Sequence, residues 1–511
     1  MNGINGVTQL AFSDVWRVMA PEILLVLGGF LILVLDLFMN KESSRRLSPQ
    51  LGILFLIAAF VMTIRNFGLV SDQTAGGTGE LLNLSNMLYV LDDFGNVFKL
   101  LFTAGTALVL LMSIDFFKQN PEVKVAEYTY LMLFATTGAM VMASSLDLIT
   151  LFVGLELLSI SSYVLVAMRR NHAKSAEGGM KYLVIGSIAS AMALYGMSFL
   201  YGVTGQTNLA YGAQTVIQMW LQFKPLLTLA FLLMLIGFGV KVSLVPFHQW
   251  SPDTYEGAPN PVTAFLAVVS KAAGFALILR TFLWGFSGVF GDVYIYLVIL
   301  AALTMVVGNV AALSQKNIKR LLAYSSVAQA GYLLLPLAVL GKGKSIDNIW
   351  LALGQTSFYL VAYLFMTMGA FAVLTVVTRQ AGNETLEAFR GLWKRAPFLA
   401  VSMAVFVLSM AGMPLTAGFI GKFYIFLGTI NTEMYWLGGL LFATSAIAFY
   451  YYFGVLKAMF LKDSAVQSHD KIQVPVSLTV TIAIGLIGTL ALGIFPDLLM
   501  KFLNGLHWFG Q

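Results

Sequence analysis

Five ionisable residues stand inside apolar runs: Glu156 in LFVGLELLSISSY, Lys181 in GGMKYLVIG, Lys241 in IGFGVKVSLVPFH, Lys271 in AVVSKAAG and Lys422 in GFIGKFY. A charge near a bilayer centre costs roughly 2.5–3.5 kcal/mol on insertion scales, so residues of this kind are functional candidates by default. The chemistry they offer is proton exchange. In apolar surroundings the distance to an opposite charge decides whether a carboxylate or an amine keeps its proton, so a Glu–Lys pair that moves apart can gate one. A row of all five across one bundle would form a horizontal polar axis, each arriving proton displacing the next through intervening water. Structural readings stand beside these. Glu156 alternatively packs as a hydrogen-bonded carboxylate at a helix contact. Lys181, which opens its run, alternatively snorkels to the interface. Lys241, Lys271 and Lys422 are alternatively held by backbone carbonyls at helix breaks.

Two of the lysines accompany interrupted helices. Pro246, five residues after Lys241, removes a backbone donor; Gly412 and Pro414 in LSMAGMPLTAGFIGKFY break the ladder before Lys422. A charged residue beside a helix break at membrane depth is a transporter signature. His248 in PFHQW reads as a loop-packing residue, with a relay role as the alternative because imidazole titrates near neutrality. Asp147, Lys99 and Lys457 fall near expected helix ends and read as interface residues.

The elements that must position these groups are transmembrane helices. The chain has 511 residues, 59% of them hydrophobic and only 11% charged, against about 25% charged in soluble domains. It has no cysteine, which excludes thiolate-held iron–sulfur clusters and disulfides. The four histidines (His172, His248, His469, His507) lack metal-ligand spacing, and no GxGxxG or Walker pattern opens a helix after a strand. Redox or nucleotide chemistry must therefore belong to partners. The net charge of +6 reads as loop charge, not as a nucleic-acid surface.

Fourteen apolar runs reach the ~20 residues that a bilayer requires, from 19–39 to 474–502, with those at 349–377 and 399–430 long enough to be tilted or broken. Alternation of fourteen helices puts Lys41, Arg45, Arg46, Lys118, Lys124, Arg169, Arg170, Lys174, Lys316, Lys319, Arg320, Arg379, Arg390, Lys394, Arg395, Lys462 and Lys471 on one side. Only Arg17, Arg65, Lys224, Arg280, Lys342, Lys344 and Lys501 fall on the other. The positive-inside rule then places both termini outside the cytoplasm. The two interrupted helices are five helices apart, so they run in opposite directions, as in inverted repeats. The expected organisation is an all-α polytopic membrane protein. Three N-terminal helices (1–127) precede two inverted five-helix repeats (128–285 and 291–460), each with one broken helix, and a C-terminal helix (461–511) follows.

Three blocks, KVSLVPFHQWSPDTYEGAPNPVTAFLAVVSKAAG, NIKRLLAYSSVAQAGYLL and MAGMPLTAGFIGKFY, closely resemble the antiporter-like subunit N of bacterial complex I, called subunit 2 in mitochondria and plastids. The resemblance runs from about residue 90 to 460. The sister subunits L and M share the broken helices but typically lack YEGAPNPVTAFL. The resemblance implies a subunit in the membrane arm of a proton-pumping NADH:quinone oxidoreductase in the bacterial cell membrane. Glu156 and Lys241 would be the charged pair of an input half-channel, Lys181 their modulator, Lys271 the central relay and Lys422 the exit-side lysine. Gln329 stands where many bacterial relatives carry a relay His. This subunit would hold no cofactor, with NADH, FMN, iron–sulfur clusters and quinone in partner subunits. Two other readings are a subunit of a multisubunit cation/proton antiporter without redox partners, and a purely structural arm subunit.

Overall fold

The computed structural model describes residues 12–75, 82–84, 88–342, 346–463 and 472–510; Lys344, His469 and Lys471 lie outside them. Hydrocarbon offers no partner to a backbone N–H or C=O, so spanning segments must satisfy their own hydrogen bonds. The described residues are accordingly almost all helical. The chain runs α1 (Phe12–Phe38), α2 (Lys41–Ala75), a short hairpin of β1 (Leu82–Leu84) and β2 (Tyr89–Leu91), then α3 (Asp93–Gln119), α4 (Val125–Ser144), α5 (Leu148–Val166), α6 (Ala173–Thr204) and α7 (Leu209–Val242). There follow α8 (Trp250–Gly257), α9 (Asn260–Phe265), a π turn (Leu266–Ser270) that runs straight into α10 (Lys271–Gly285), α11 (Phe290–Leu313), α12 (Ile318–Val339) and α13 (Ile346–Ala381). The remainder is α14 (Leu392–Arg395), α15 (Pro397–Ala411), α16 (Ala417–Asn431), α17 (Tyr435–Leu461), α18 (Val476–Ile494) and α19 (Asp497–Asn504).

Twelve of the described helical segments are long and apolar enough to cross a membrane. The other two expected spans fall on α4 and on the broken pair α15–α16, which are not among the twelve. The segment Asn260–Gly285 is buried along nearly all of its length, as are α12 and α13. These three form the centre of the bundle. Around them α1, α5 and α18 turn apolar side chains such as Leu27, Ile149 and Ile487 outward, as a lipid-facing ring must. Close approach of backbones fixes neighbouring helices where side chains are smallest. A Cβ at Gly138 of α4 would stand 2.7 Å from the Gly154 carbonyl oxygen of α5, and one at Gly237 of α7 2.6 Å from that of Ala189 in α6.

Loops expected on one face do meet there. Arg45 donates to Pro121 O, Lys174 pairs with Glu256, Arg379 with Asp115 and Lys394 with Asp463. A matching pair of backbone links appears at two places. Leu148 N donates to Thr207 O and Leu209 N to Leu146 O, joining the start of α5 to the start of α7. Ile318 N donates to Glu384 O and Leu386 N to Lys316 O, joining the start of α12 to the segment that leads to the second broken helix.

Both breaks have one design. α7 stops at Val242, before Pro246 is reached, on a left-handed Ser243 (φ 62°), with Leu244 N returning to Gly239 O at 2.8 Å. α15 stops at Ala411 on Gly412 (φ 100°), with Met413 N returning to Leu408 O at 2.9 Å. This is the two-residue overshoot that ties off a helix C-terminus. Pro414 lies in the gap that follows, as Pro246 does in the first.

Two expected interface charges are corrected. Lys99 is fully buried, 3.0 Å from Glu22 of α1, whose carboxylate also accepts from Tyr89 OH. Arg280, expected among the scattered positives of the second face, is fully buried too. It grips both oxygens of Asp92 (2.5 and 2.8 Å), donates to Ala143 O, and lies over the rings of Phe94 and Phe509. In each case an acid on another helix compensates the charge, so the cation is drawn inward instead of snorkelling out. Removing one partner of such a pair costs about 3–5 kcal/mol, whereas replacing both with apolar residues costs much less. Asp92→Asn and Arg280→Met alone should each lower the melting temperature of the purified protein markedly. The double change Asp92→Leu/Arg280→Met should lower it less than either; single variants that melt like the wild type would show that the pair holds nothing together.

Candidate functional site

Lys241, Lys271 and Lys422 are buried (7%, 1% and 4% exposed), and no carboxylate among the described residues lies within ion-pair distance of them. Lys241, at the end of α7, donates to Ser159 Oγ of α5 (3.0 Å) and reaches Tyr182 OH of α6 (3.4 Å). Tyr182 stacks on Trp250 with ring centroids 4.3 Å apart, and its hydroxyl interacts with Ser270, the residue before Lys271. Lys271 follows the π turn and donates to both the carbonyl and the hydroxyl oxygen of Ser326 on α12. An inserted residue of this kind in a helix is frequent at functional sites. Ser326 also meets Tyr255 (3.3 Å) and Tyr363. One residue earlier, Ser325 bonds Tyr452 OH, which donates to Met410 Sδ (3.3 Å).

Lys422, on α16, reaches back to the second break. Its amine donates to Met410 O and Ala411 O at 2.9 and 3.0 Å and stands 4.7 Å from the centre of the Tyr332 ring. Gln329 donates to the same Met410 O (3.1 Å) and accepts from Tyr359 OH, so it ties α12 to α13 and to the end of α15. Hydroxyl and amide side chains thus surround Lys241 and Lys271 and stand beside the carbonyls that hold Lys422. The carbonyl-held alternative describes Lys422 and half of the Lys271 contacts; Lys241 touches hydroxyls only.

The other expected members stand apart. Glu156 is half-buried, with Oε1 lacking a hydrogen-bond partner; it is near enough to act electrostatically on Lys241 and Tyr163 but makes no ion pair with Lys241. Ser159, one turn further along α5, holds the amine instead. Lys181 points away from the row, toward the basic-loop face, and pairs with Glu177 and Asp253, both at 2.6 Å. The next residue, Tyr182, turns inward. Asp253 and Glu256 of α8 bind Arg320, and Glu256 binds Lys174, closing a surface network of acids and bases. Partial burial raises both carboxyls, but hydrogen bonds from Lys181 and Arg320 on Asp253, and from Lys174 and Arg320 on Glu256, outweigh it and leave both below their ordinary values. His248 packs against Tyr324 (6.2 Å between centroids), and no hydrogen bond joins it to the lysines. Sequence reading missed the hydroxyls of Tyr182, Tyr255, Ser326, Tyr363 and Tyr452. The run AYSSVAQAGY, and Tyr359 and Tyr363 one turn apart, were the available signals.

Buried amines beside two broken helices, held by hydroxyl and carbonyl oxygens, are the features of an antiporter-type membrane subunit. The family model "NADH:quinone oxidoreductase/Mrp antiporter, TM" matches residues 145–448. NADH-quinone oxidoreductase subunit N of Paenibacillus sp. (strain JDR-2) is 42% identical over 500 residues, covering 95% of each chain. A chain of respiratory complex I from Thermus thermophilus superposes with TM-score 0.75 at 31% identity, over 94% of this chain and 98% of that one. A chain of the Mrp complex from Dietzia sp. DQ12-45-1b gives TM-score 0.81 at 20% identity, over 97% of each, a likeness of fold alone. The chain belongs to the NADH:quinone oxidoreductase/Mrp antiporter family, in its NADH-quinone oxidoreductase subunit N branch.

A carboxyl held below its ordinary value in the folded state contributes stability that is present at neutral pH and lost as pH falls through the folded value. The Asp253–Glu256 network should therefore weaken in acid. Asp253→Asn should lower the melting temperature at pH 7, and the gap to wild type should shrink as the pH approaches the carboxylate range. A gap independent of pH would show that the Asp253 charge contributes nothing.

Proposed function

We propose that this chain is the proton-translocating antiporter-like subunit of the membrane arm of NADH:quinone oxidoreductase, and that protons pass along Lys241, Lys271 and Lys422 while partner subunits carry the electrons. The observation that carries the reading is the row itself: among the described residues, three buried amines have no carboxylate partner, Lys241 and Lys271 resting on Ser and Tyr hydroxyls and Lys422 on backbone carbonyls. An amine fixed for structure is normally neutralised, as Lys99 is by Glu22 and Arg280 by Asp92. Amines left unpaired in apolar surroundings cost free energy, and proton exchange is a reason to keep them. Glu156, unsatisfied and half-buried near Lys241, is the acid whose approach or withdrawal sets that lysine's charge. Lys181 modulates from the surface network through Tyr182, and Gln329 holds the second break in place of an ionisable relay.

The chain has no cysteine to hold an iron–sulfur cluster, and the likeness to subunit N relatives supports assigning NADH, FMN, iron–sulfur clusters and quinone to partner subunits. The matched backbone links at the starts of α5 and α12, and the matched helix ends at Ser243 and Gly412, support two inverted repeats over 128–285 and 291–460. The contacts among basic loops support one cytoplasmic face in the bacterial cell membrane, with both termini on the other side. A cation/proton antiporter without redox partners shares the fold; the full-length likeness to subunit N relatives favours the oxidoreductase arm.

The relay reading has a direct test at Lys241. Arginine keeps its proton throughout the working range. If Lys241 must release a proton in each cycle, Lys241→Arg should depress pumping nearly as much as Lys241→Ala. Proton translocation per electron is measured in vesicles, on enzyme whose assembly is checked by native gel. Near-normal pumping by Lys241→Arg beside failure of Lys241→Ala would leave Lys241 as a fixed counter-charge. For orientation, a cysteine at Asn383 should react only with reagents that reach the cytoplasm, and one at Ser287 only with reagents outside; the opposite pattern in intact cells would invert the topology.

A further inference from the structure

A cavity of about 590 Å³ opens on the face where the basic loops gather. Its walls come from the ends of α3, α6, α8, α9, α12 and α13, and they carry Arg169, Lys174, Lys319 and Arg379 together with His172. Only two acids, Glu256 and Glu384, line it. Three of the four bases are already engaged. Lys174 pairs with Glu256, Lys319 with Glu384, and Arg379 with Asp115 behind the wall. Arg169 is not: it forms no ion pair, and its Nε is buried without a hydrogen-bond partner. Burial weakens its hold on the proton, and the more distant Glu384 and Glu122 only partly offset this. Beside it α6 begins. No side chain caps that helix, since His172 at the cap position makes no side-chain bond to the first turn, and a helix N-terminus favours negative charge.

A cation has little to bind here, because both wall carboxylates are occupied. An apolar molecule would leave the guanidinium unpaired. What fits is a group with several acceptor oxygens that a planar guanidinium can hold with two parallel bonds. We propose that this cavity binds a phosphate-bearing anion, with Arg169 as its main partner and His172 and the open first turn of α6 beside it. The group can be a free phosphate from the aqueous side or the headgroup of an anionic phospholipid. It compensates Arg169, the one cation of the cavity left without a partner among the described residues, and braces the ends of six helices on that face.

The assembled complex is purified, delipidated in detergent and titrated with inorganic phosphate at constant ionic strength, with the melting temperature as readout. Phospholipid retained before delipidation is measured in parallel. The variants are Arg169→Gln; Arg169→Lys, which keeps the charge without the fork; and Lys394→Gln, which removes a charge on the same face outside the cavity. Native gels confirm assembly. For a free phosphate, the wild type and Lys394→Gln should be stabilised alike, with the apparent affinity about tenfold weaker or more in Arg169→Gln, as loss of a charge-assisted bidentate contact implies, and intermediate in Arg169→Lys. For a headgroup, phosphate should stabilise none of them, and tightly held phospholipid should be lost from Arg169→Gln but not from Lys394→Gln. Equal phosphate response and equal retained phospholipid in all four proteins would overturn the proposal. Because no pumping assay enters, this result is independent of whether the lysine row carries protons.

Discussion

A helix that stops inside hydrocarbon leaves backbone groups which the lipid cannot satisfy, and each one costs free energy unless the bundle supplies a partner. The two broken helices depend on this constraint, and much of the central architecture meets it. At the first break the indole of Trp250 donates to Val240 O, and the hydroxyl of Thr304 accepts from Val245 N. At the second, Lys422 and Gln329 share the carbonyls of Met410 and Ala411, and Ser409 Oγ accepts from Gly418 N. The breaks are therefore not equivalent in chemistry although they match in backbone. The second uses its lysine to satisfy freed carbonyls. The first assigns that work to a tryptophan and leaves its lysine on hydroxyls.

The same constraint separates two classes of buried cation. Lys99 and Arg280 face carboxylates and fasten α1, α3, α4 and α10 together near one face. Their charges are compensated locally by ion pairs that join helices. Lys241, Lys271 and Lys422 meet only neutral oxygens, so any gain or loss of a proton changes the net charge at the centre of the bundle. In low dielectric such a change is felt by the neighbouring members of the row. Ser and Tyr hydroxyls suit the gaps between them because each both donates and accepts.

The lysines and the breaks were legible in the sequence because a charge or a Gly–Pro interruption inside a long apolar run has few explanations. The sides of the loops were legible for a related reason, since Lys and Arg are excluded from most spans. The contacts were not. Many membrane Ser and Thr simply bond the preceding turn, as Thr136 does to Met132 O and Ser162 to Leu158 O. Nothing in AYSSVAQAGY says that Ser326 instead meets Lys271. The family resemblance pairs Glu156 with Lys241; in this structure Ser159 of α5 stands against the amine and Glu156 acts on it from further off. Lys99 and Arg280 were misread because their acids lie 77 and 188 residues away in sequence. Lys181 follows from helical phase: a step of about 100° per residue separates it from inward-facing Tyr182.

The π turn at Leu266–Ser270 winds one residue more than an α turn into the same height. Everything before it on that continuous helix, including the Pro259–Pro261 entry, is thereby rotated about 100° relative to an unbroken α-helix ending at the same Lys271. Substitutions in LAVVS that keep its volume leave this phase intact. Loss of a single residue there would restore a regular helix while leaving Lys271 and the entry in the same relative phase. What such a gap would remove is the π turn itself, so a one-residue deletion here would disturb the flanking segments less than a deletion elsewhere in the helix.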